Sequence, residues 1–170
     1  MEKIMETERL VLRKLMIADV EPMHRILSDP ITMQFWPATF EITGTERWIK
    51  RSLDAYEESG LGRFALILKS RGAFVGDCGF MRTEVAGVEE NDLGYIIDKE
   101  FWGQGFATEA AQACLKYGIE SLGLKRIVAS MENKHIASRK VAEKIGLRFE
   151  REFLNPRNRN LPTVLLSLNI

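Results

Sequence analysis

The chain is poor in the residues that most often build metal centres and covalent frameworks. Of its 170 residues, two are cysteine, Cys78 and Cys114, and two are histidine, His24 and His135. Scattered this way they show no metal-ligand spacing, so no metal site is expected. Both cysteines lie in apolar-patterned segments, which predicts buried free thiols in preference to a disulfide. An excess of one charge is also missing, because 24 Lys and Arg balance 24 Asp and Glu. That excludes a global basic field for nucleic acid or an anionic membrane, and any phosphate site must be local. No stretch approaches the roughly 18 apolar residues of a membrane span. The start, MEKIMETERL, lacks the apolar core of a signal peptide, so a cytoplasmic location is expected. Repeats, low-complexity tracts and linkers are absent as well. What is present is 45% hydrophobic residues, enough for one sizeable core and a single domain over residues 1 to 170.

Periodicity supplies the elements. Residues 9 to 15, RLVLRKL, alternate like a half-buried strand. Asp19 is placed to cap a helix with Val20, Met23, Ile26 and Leu27 on its apolar side, ended by Ser28-Asp29-Pro30. Thr43 and Glu46 have the spacing of a capping box for a second helix carrying Trp48, Ile49, Leu53 and Tyr56, with Gly60 at its end. Strands follow at 64 to 70, 73 to 83 and 92 to 98, the first two joined through Arg71-Gly72; a solvated acidic loop is the plain reading of "EVAGVEEND" at 84 to 92, and it is the one expected for Glu84 and Glu89. Ala107, Ala111, Cys114, Leu115, Gly118, Ile119 and Leu122 recur at helical steps up to Gly123. RIVASME at 126 to 132 is a strand, and Ile136, Val141 and Ile145 mark the inner side of a helix stopped by Gly146. Strands at 147 to 153 and 163 to 170 complete the order β-α-α-β-β-β-α-β-α-β-β, an α/β chain with a mixed sheet.

Between the third of the middle strands and the long helix lies FWGQGFATEA. Gly103 and Gly105 in front of a helix start let backbone amides of Gly103, Gln104, Gly105, Phe106, Ala107 and Thr108 approach an anion, with the helix dipole and the Thr108 hydroxyl in support. A helix-entry turn without a ligand is the plain alternative. Neither a G-x-x-x-x-G-K-[ST] loop nor the third small residue of a dinucleotide fingerprint is present, since Thr108 stands at that position.

The element order, the opening TERLVLRKL, the strand DLGYIID, this turn and "ASMENKHIASRKVAEKIGLRFE" together resemble the GNAT superfamily of N-acetyltransferases, within it the RimJ/RimL-like group that acetylates ribosomal proteins. The resemblance spans nearly the whole chain. It implies acetyl-coenzyme A as cosubstrate, its pyrophosphate wrapped by residues 103 to 108. Trp102 stands where many relatives have Gln or Arg, a departure that leaves the backbone donors in place. The resemblance further implies that backbone groups of Tyr95, Ile96 and Ile97 hold the pantetheine arm and the carbonyl. The side chains of Leu93, Tyr95 and Ile97 are expected in the core. Asn133 matches an asparagine that contacts the pantetheine arm, and that role is expected ahead of the plain alternative, a cap on the following helix.

Acetyl transfer to an amine requires a neutral acceptor, a polarised carbonyl and a proton for the leaving thiolate. The tyrosine acid of many relatives is absent, Ala142 occupying its position, and Ser138 is the candidate acid instead. Asp92 and Glu90 are the candidate bases, acting through a water. The resemblance implies an acceptor side formed by "MQFWPATF" at 33 to 40 and "LNPRNRNLP" at 154 to 162, with Phe35 and Trp36 as pocket residues or as seals of the core edge. The implied acceptor is a primary amine, either a protein N-terminus or a small amine such as a polyamine or antibiotic. A non-catalytic acyl-coenzyme A sensor is the reading from another class, and a homodimer is compatible with the resemblance.

Overall fold

The computed structural model describes residues 3–170. Its strands are β1 (Lys3–Glu6), β2 (Leu10–Lys14), β3 (Gly62–Leu68), β4 (Ala73–Val85), β5 (Val88–Ile97), β6 (Arg126–Glu132), β7 (Arg148–Asn155) and β8 (Leu161–Asn169). The helices are α1 (Val20–Leu27), α2 (Ile42–Ser59), α3 (Phe106–Glu120) and α4 (Ile136–Lys144). All eight strands form one sheet in the order β1-β2-β3-β4-β5-β6-β8-β7. Every neighbouring pair is antiparallel except β5 and β6, which are parallel and joined by the α3 crossover.

Strand alternation gives the sheet two apolar faces. Phe64, Leu66, Phe80 and Leu93 pack with Ala110, Ala111, Cys114 and Leu115 of α3 and with Ala142 of α4. Ala65 and Ile96 point the other way, against Met23, Ile26 and Leu27 of α1 and Ile49 of α2. Full burial of a side chain the size of Phe64 or Leu66 contributes about 1.5–3 kcal/mol. Cys78 and Cys114 are free, buried thiols within the first of these clusters, as their apolar surroundings in the sequence imply. Among the described residues, no helix is long and apolar enough to cross a membrane.

Five local expectations are corrected. β1 adds an edge strand in a segment whose charges hid its alternation. Asp19 does not cap α1 with its side chain; both its oxygens accept from Arg13, at 2.7 Å, and Oδ2 also accepts the Met16 amide at 2.8 Å, closing the turn before the helix. Glu41, not Thr43, stands at the start of α2, and no capping box forms there. The acidic stretch 84 to 92 is no loop, because β4 and β5 pair down to Val85 and Val88 around a two-residue turn. Ala86 and Gly87 both take positive φ there, 49° and 84°, the conformation of a tight hairpin. On α4, Ile136 is 51% exposed and Ala142 takes the inward position.

The feature that positions the site is a fork. β5 and β6 make a single register pair, Asp92 with Val128. Beyond Asp92, β5 continues along β4 to Ile97 while β6 continues along β8 to Glu132, so the two strands diverge.

Candidate active site

The turn leading into α3 begins at Asp98, whose side chain accepts from the Glu100 amide at 3.0 Å. Phe101 and Phe106 bury their rings edge to face, with centroids 6.1 Å apart, and pin both ends of the turn to the core. The backbone between them is free to arch outward. Gly103 and Gly105 have φ of 73° and 82°, the left-handed region that residues with a Cβ avoid. Within the described residues, no hydrogen bond uses the amides of Gly103 to Thr108; the first amide engaged is that of Glu109, which donates to Gly105. A helix N-terminus with unpaired N–H groups attracts anions through those donors and its dipole. Trp102, at the position of departure from the family pattern, donates its indole N–H to the Ile97 carbonyl at 2.8 Å and ties the turn to the end of β5.

Main-chain direction along β5 follows from bonds at its end. The Asp98 amide donates to Val75 on β4 at 2.9 Å, whereas the Ile97 carbonyl is reached by Trp102 from the opposite side. Alternation therefore turns the polar backbone of Tyr95 and Ile97 toward the fork and that of Ile96 toward β4. Of the three strand residues named from sequence, Tyr95 and Ile97 thus meet the open edge.

A cavity of about 350 Å³ runs through the fork. Asp92, Leu93, Gly94 and Tyr95 line it from β5, Ser130 to Glu132 from β6, and His135 and Ser138 from the start of α4. Phe35 and Trp36 close it from the α1–α2 connection, so both aromatics named from sequence are at the cavity wall. Phe35 stacks on His135 at 4.1 Å between ring centroids, and its carbonyl accepts from Asn158 Nδ2 at 2.9 Å. That bond joins the two segments, 33 to 40 and 154 to 162, in one wall. Arg157 adds a second tie, donating to Thr83 Oγ1 and the Glu84 carbonyl at 3.0 Å each.

The two candidate bases are separated by this geometry. Glu90 is buried against Arg126, with three contacts of 2.9–3.0 Å, and is not among the cavity residues. A carboxylate held this way is a structural partner, which corrects its expected role as a base. Asp92 lines the cavity, its Oδ1 enclosed and without a hydrogen-bond partner. Burial pushes its carboxyl up to about 6, with Arg63 and the Ser130 amide opposing and Glu90 adding to the rise.

Ser138 donates to the Tyr95 hydroxyl at 3.3 Å, and Tyr95 donates in turn to the Ser138 carbonyl at 2.7 Å. Burial raises the Tyr95 phenol, which stays protonated. Asn133 is half-buried; its amide donates to the Pro162 carbonyl at 2.9 Å, and it neither lines the cavity nor caps α4, which begins after His135. Sequence reasoning missed His135 and Arg63. Burial holds the His135 imidazole down at about 4, so a neutral ring forms part of the wall. Arg63, 6% exposed, is the second residue of β3 and lies one position before the strand read from the sequence. Among the described residues, no group of three or more His, Cys, Asp or Glu is arranged to hold a metal ion.

Comparison with known proteins places the fold in a family. The family described as the acetyltransferase (GNAT) domain matches residues 9–148. A Bacillus licheniformis protein named uncharacterized N-acetyltransferase p20 is 30% identical over 170 residues, covering 95% of this chain and 93% of that protein. The crystal structure of a GNAT-family acetyltransferase from Bacillus anthracis superposes with a TM-score of 0.81 at 28% identity, covering 96% of both chains. RimL, a ribosomal L7/L12 alpha-N-protein acetyltransferase solved in complex with coenzyme A, shares the fold with a TM-score of 0.82 at 16% identity, over 99% of this chain and 98% of its own. With the forked sheet, the unpaired amides before α3 and a match across most of its length, the chain belongs to the GNAT family of acetyltransferases.

Proposed function

We propose that the protein moves an acetyl group from acetyl-coenzyme A to a primary amine by direct attack in a ternary complex, and that a protein N-terminal α-amine is its acceptor. The observation that carries this reading is the fork beyond Asp92, with a row of unpaired amides at one end and a walled cavity through it. The named function of RimL, which shares the fold, supports the choice of acceptor.

Acetyl-coenzyme A supplies an acetyl group activated as a thioester. The amides of residues 103 to 108 suit a pyrophosphate, and the open backbone of Tyr95 and Ile97 suits the polar groups of a pantetheine chain. Asp92 takes a proton from the incoming ammonium through a water; with its carboxyl at about 6, it is ionised yet basic enough near neutral pH. As the N–C bond forms and the C–S bond breaks, Ser138 Oγ gives its proton to the thiolate. The second proton lost by the nitrogen restores the serine. The Tyr95 hydroxyl, bonded to both the hydroxyl and the carbonyl of Ser138, fixes the serine in place.

One observation favours a non-catalytic acyl-coenzyme A sensor: Ala142 is fully buried where many relatives have a tyrosine acid. Melting temperature with and without acetyl-coenzyme A, followed by thiol release against a panel of amines and short peptides, separates the readings. Stabilisation with amine-dependent release is the expected result. Stabilisation without release on any amine would leave the sensor, and no stabilisation at saturating ligand would remove the cofactor assignment.

A further inference from the structure

Arg63 has no part in the chemistry above, yet the sheet is built to deliver it to the fork. It shares a face with Ala65 and pairs with Gly79 on β4, which in turn pairs with Gly94 on β5. With no side chain at either glycine, the arginine lies flat across the strands. A Cβ on Gly94 would sit 1.9 Å from Nη2 and 2.6 Å from Cζ, so the guanidinium rests on the β5 backbone two residues past the fork point. The Trp48 ring covers its other side at 4.7 Å. Asp77 accepts from Nη1 at 3.0 Å, and its second oxygen accepts from Trp48 Nε1 at 2.7 Å. The main chain of Arg63 is anchored too, its amide donating to Ser52 Oγ at 3.3 Å and its carbonyl accepting from the Tyr56 hydroxyl. A cation held this firmly is preorganised. It lines the same cavity as Asp92, and both Arg63 Nε and Asp92 Oδ1 are left without hydrogen-bond partners.

On the reading that the protein is an acetyltransferase, we propose that Arg63 is a specificity-determining residue. Paired with Asp92, it selects acceptors that carry a carbonyl or carboxylate oxygen on the carbon next to the one bearing the amine, and it rejects oligoamines. In such a molecule the nitrogen and oxygen stand about 3 Å apart by ordinary bond geometry, so one meets Asp92 while the other meets the guanidinium. A plain alkylamine leaves the buried donor unpaired, which a hydrogen-bonding site penalises heavily. An oligoamine brings a second cation beside one that cannot move away. The rim does not reverse this preference, because Glu84 and Glu132 are matched there by Arg51 and Arg157.

The test uses the full chain, acetyl-coenzyme A and three amines. L-Alaninamide is compared with 1,2-dimethylpropylamine, which replaces the amide by an isopropyl group, and with spermidine, each as kcat/KM per neutral amine. The expected preference for alaninamide over the other two is about 10- to 100-fold. In Arg63→Met it should shrink to within about threefold, with acetyl-coenzyme A affinity retained. Since loss of the arginine strands Asp77, the double variant R63M/D77N provides the same comparison with neither member of the pair. Equal kcat/KM in the wild type, or a preference that survives in the folded variants, overturns the role of Arg63 and leaves the transferase intact. Absence of thiol release with every amine overturns both.

Discussion

Asp92 and Glu90 stand two residues apart on the same strand and face, and their neighbours give them opposite fates. Arg126 neutralises Glu90, whereas the cavity leaves Asp92 underpartnered with its carboxyl raised to about 6. As a base, Asp92 must be ionised, so kcat/KM should fall as pH drops through about 6, and Asp92→Asn should lose that limb together with about 10²-fold in rate. A pH profile that is unchanged in the variant would remove Asp92 from the proton path. The same carboxylate acts on stability with the reverse of the usual carboxylate sign. Its folded value lies above the ordinary 3.8, so ionisation opposes folding: the cost is absent below about pH 4, grows between 4 and 6, and is complete above 6. Asp92→Asn should therefore stabilise the protein by about 1–3 kcal/mol at pH 8, and the gain should shrink toward pH 4 in denaturant titrations. Ser138→Ala should lower kcat by at least tenfold while leaving acetyl-coenzyme A affinity within about twofold; an unchanged kcat would return the serine to a packing role. The sequence made Asp92 and Glu90 look equivalent because Arg126, the partner that distinguishes them, lies 36 residues away.

At the scale of elements, the two-glycine entry to α3 was the most legible turn in the chain, since its signal is local. Two glycines and a helix start need no distant contact to make an anion-binding turn. At Gly105 a side chain would face a φ of 82°, a strain of roughly 1–2 kcal/mol for an ordinary residue and more for a β-branched one. Gly105→Val should thus leave the fold intact by circular dichroism and weaken acetyl-coenzyme A at least tenfold by calorimetry. Unchanged affinity would contradict the phosphate turn. Helix caps were less legible. Asp19 has the right residue type and position for a cap, but the buried guanidinium of Arg13 offers its carboxylate two charge-assisted bonds. In the acidic stretch at 84 to 92 the solvent exposure read for Glu84 and Glu89 holds, but the loop does not: the Ala86-Gly87 turn and pairing between β4 and β5 impose a strand on both sides of the turn.

For the whole molecule, the fork is a gap in an otherwise continuous sheet, and filling it should be felt along both strands. Hydrogen exchange with acetyl-coenzyme A should show new protection at residues 93 to 97 and in the turn at 103 to 108, with little change in β2 and β3. Protection confined to other regions would contradict the site. A ligand at about a hundred times its dissociation constant should also stabilise the native state by roughly 2.7 kcal/mol. The order of elements from β2 to β8, the buried thiols and the two-glycine entry to α3 were all determined by the sequence itself, because periodicity and glycine placement act over a few residues. Tertiary structure alone decided the divergence of β5 from β6, the exclusion of Glu90, the stacking of Phe35 on His135 and the reach of Arg63 over Gly79 and Gly94. Each of these depends on residues that are far apart in the chain meeting across strands, and no local pattern encodes which charge will find a partner and which will face the cavity.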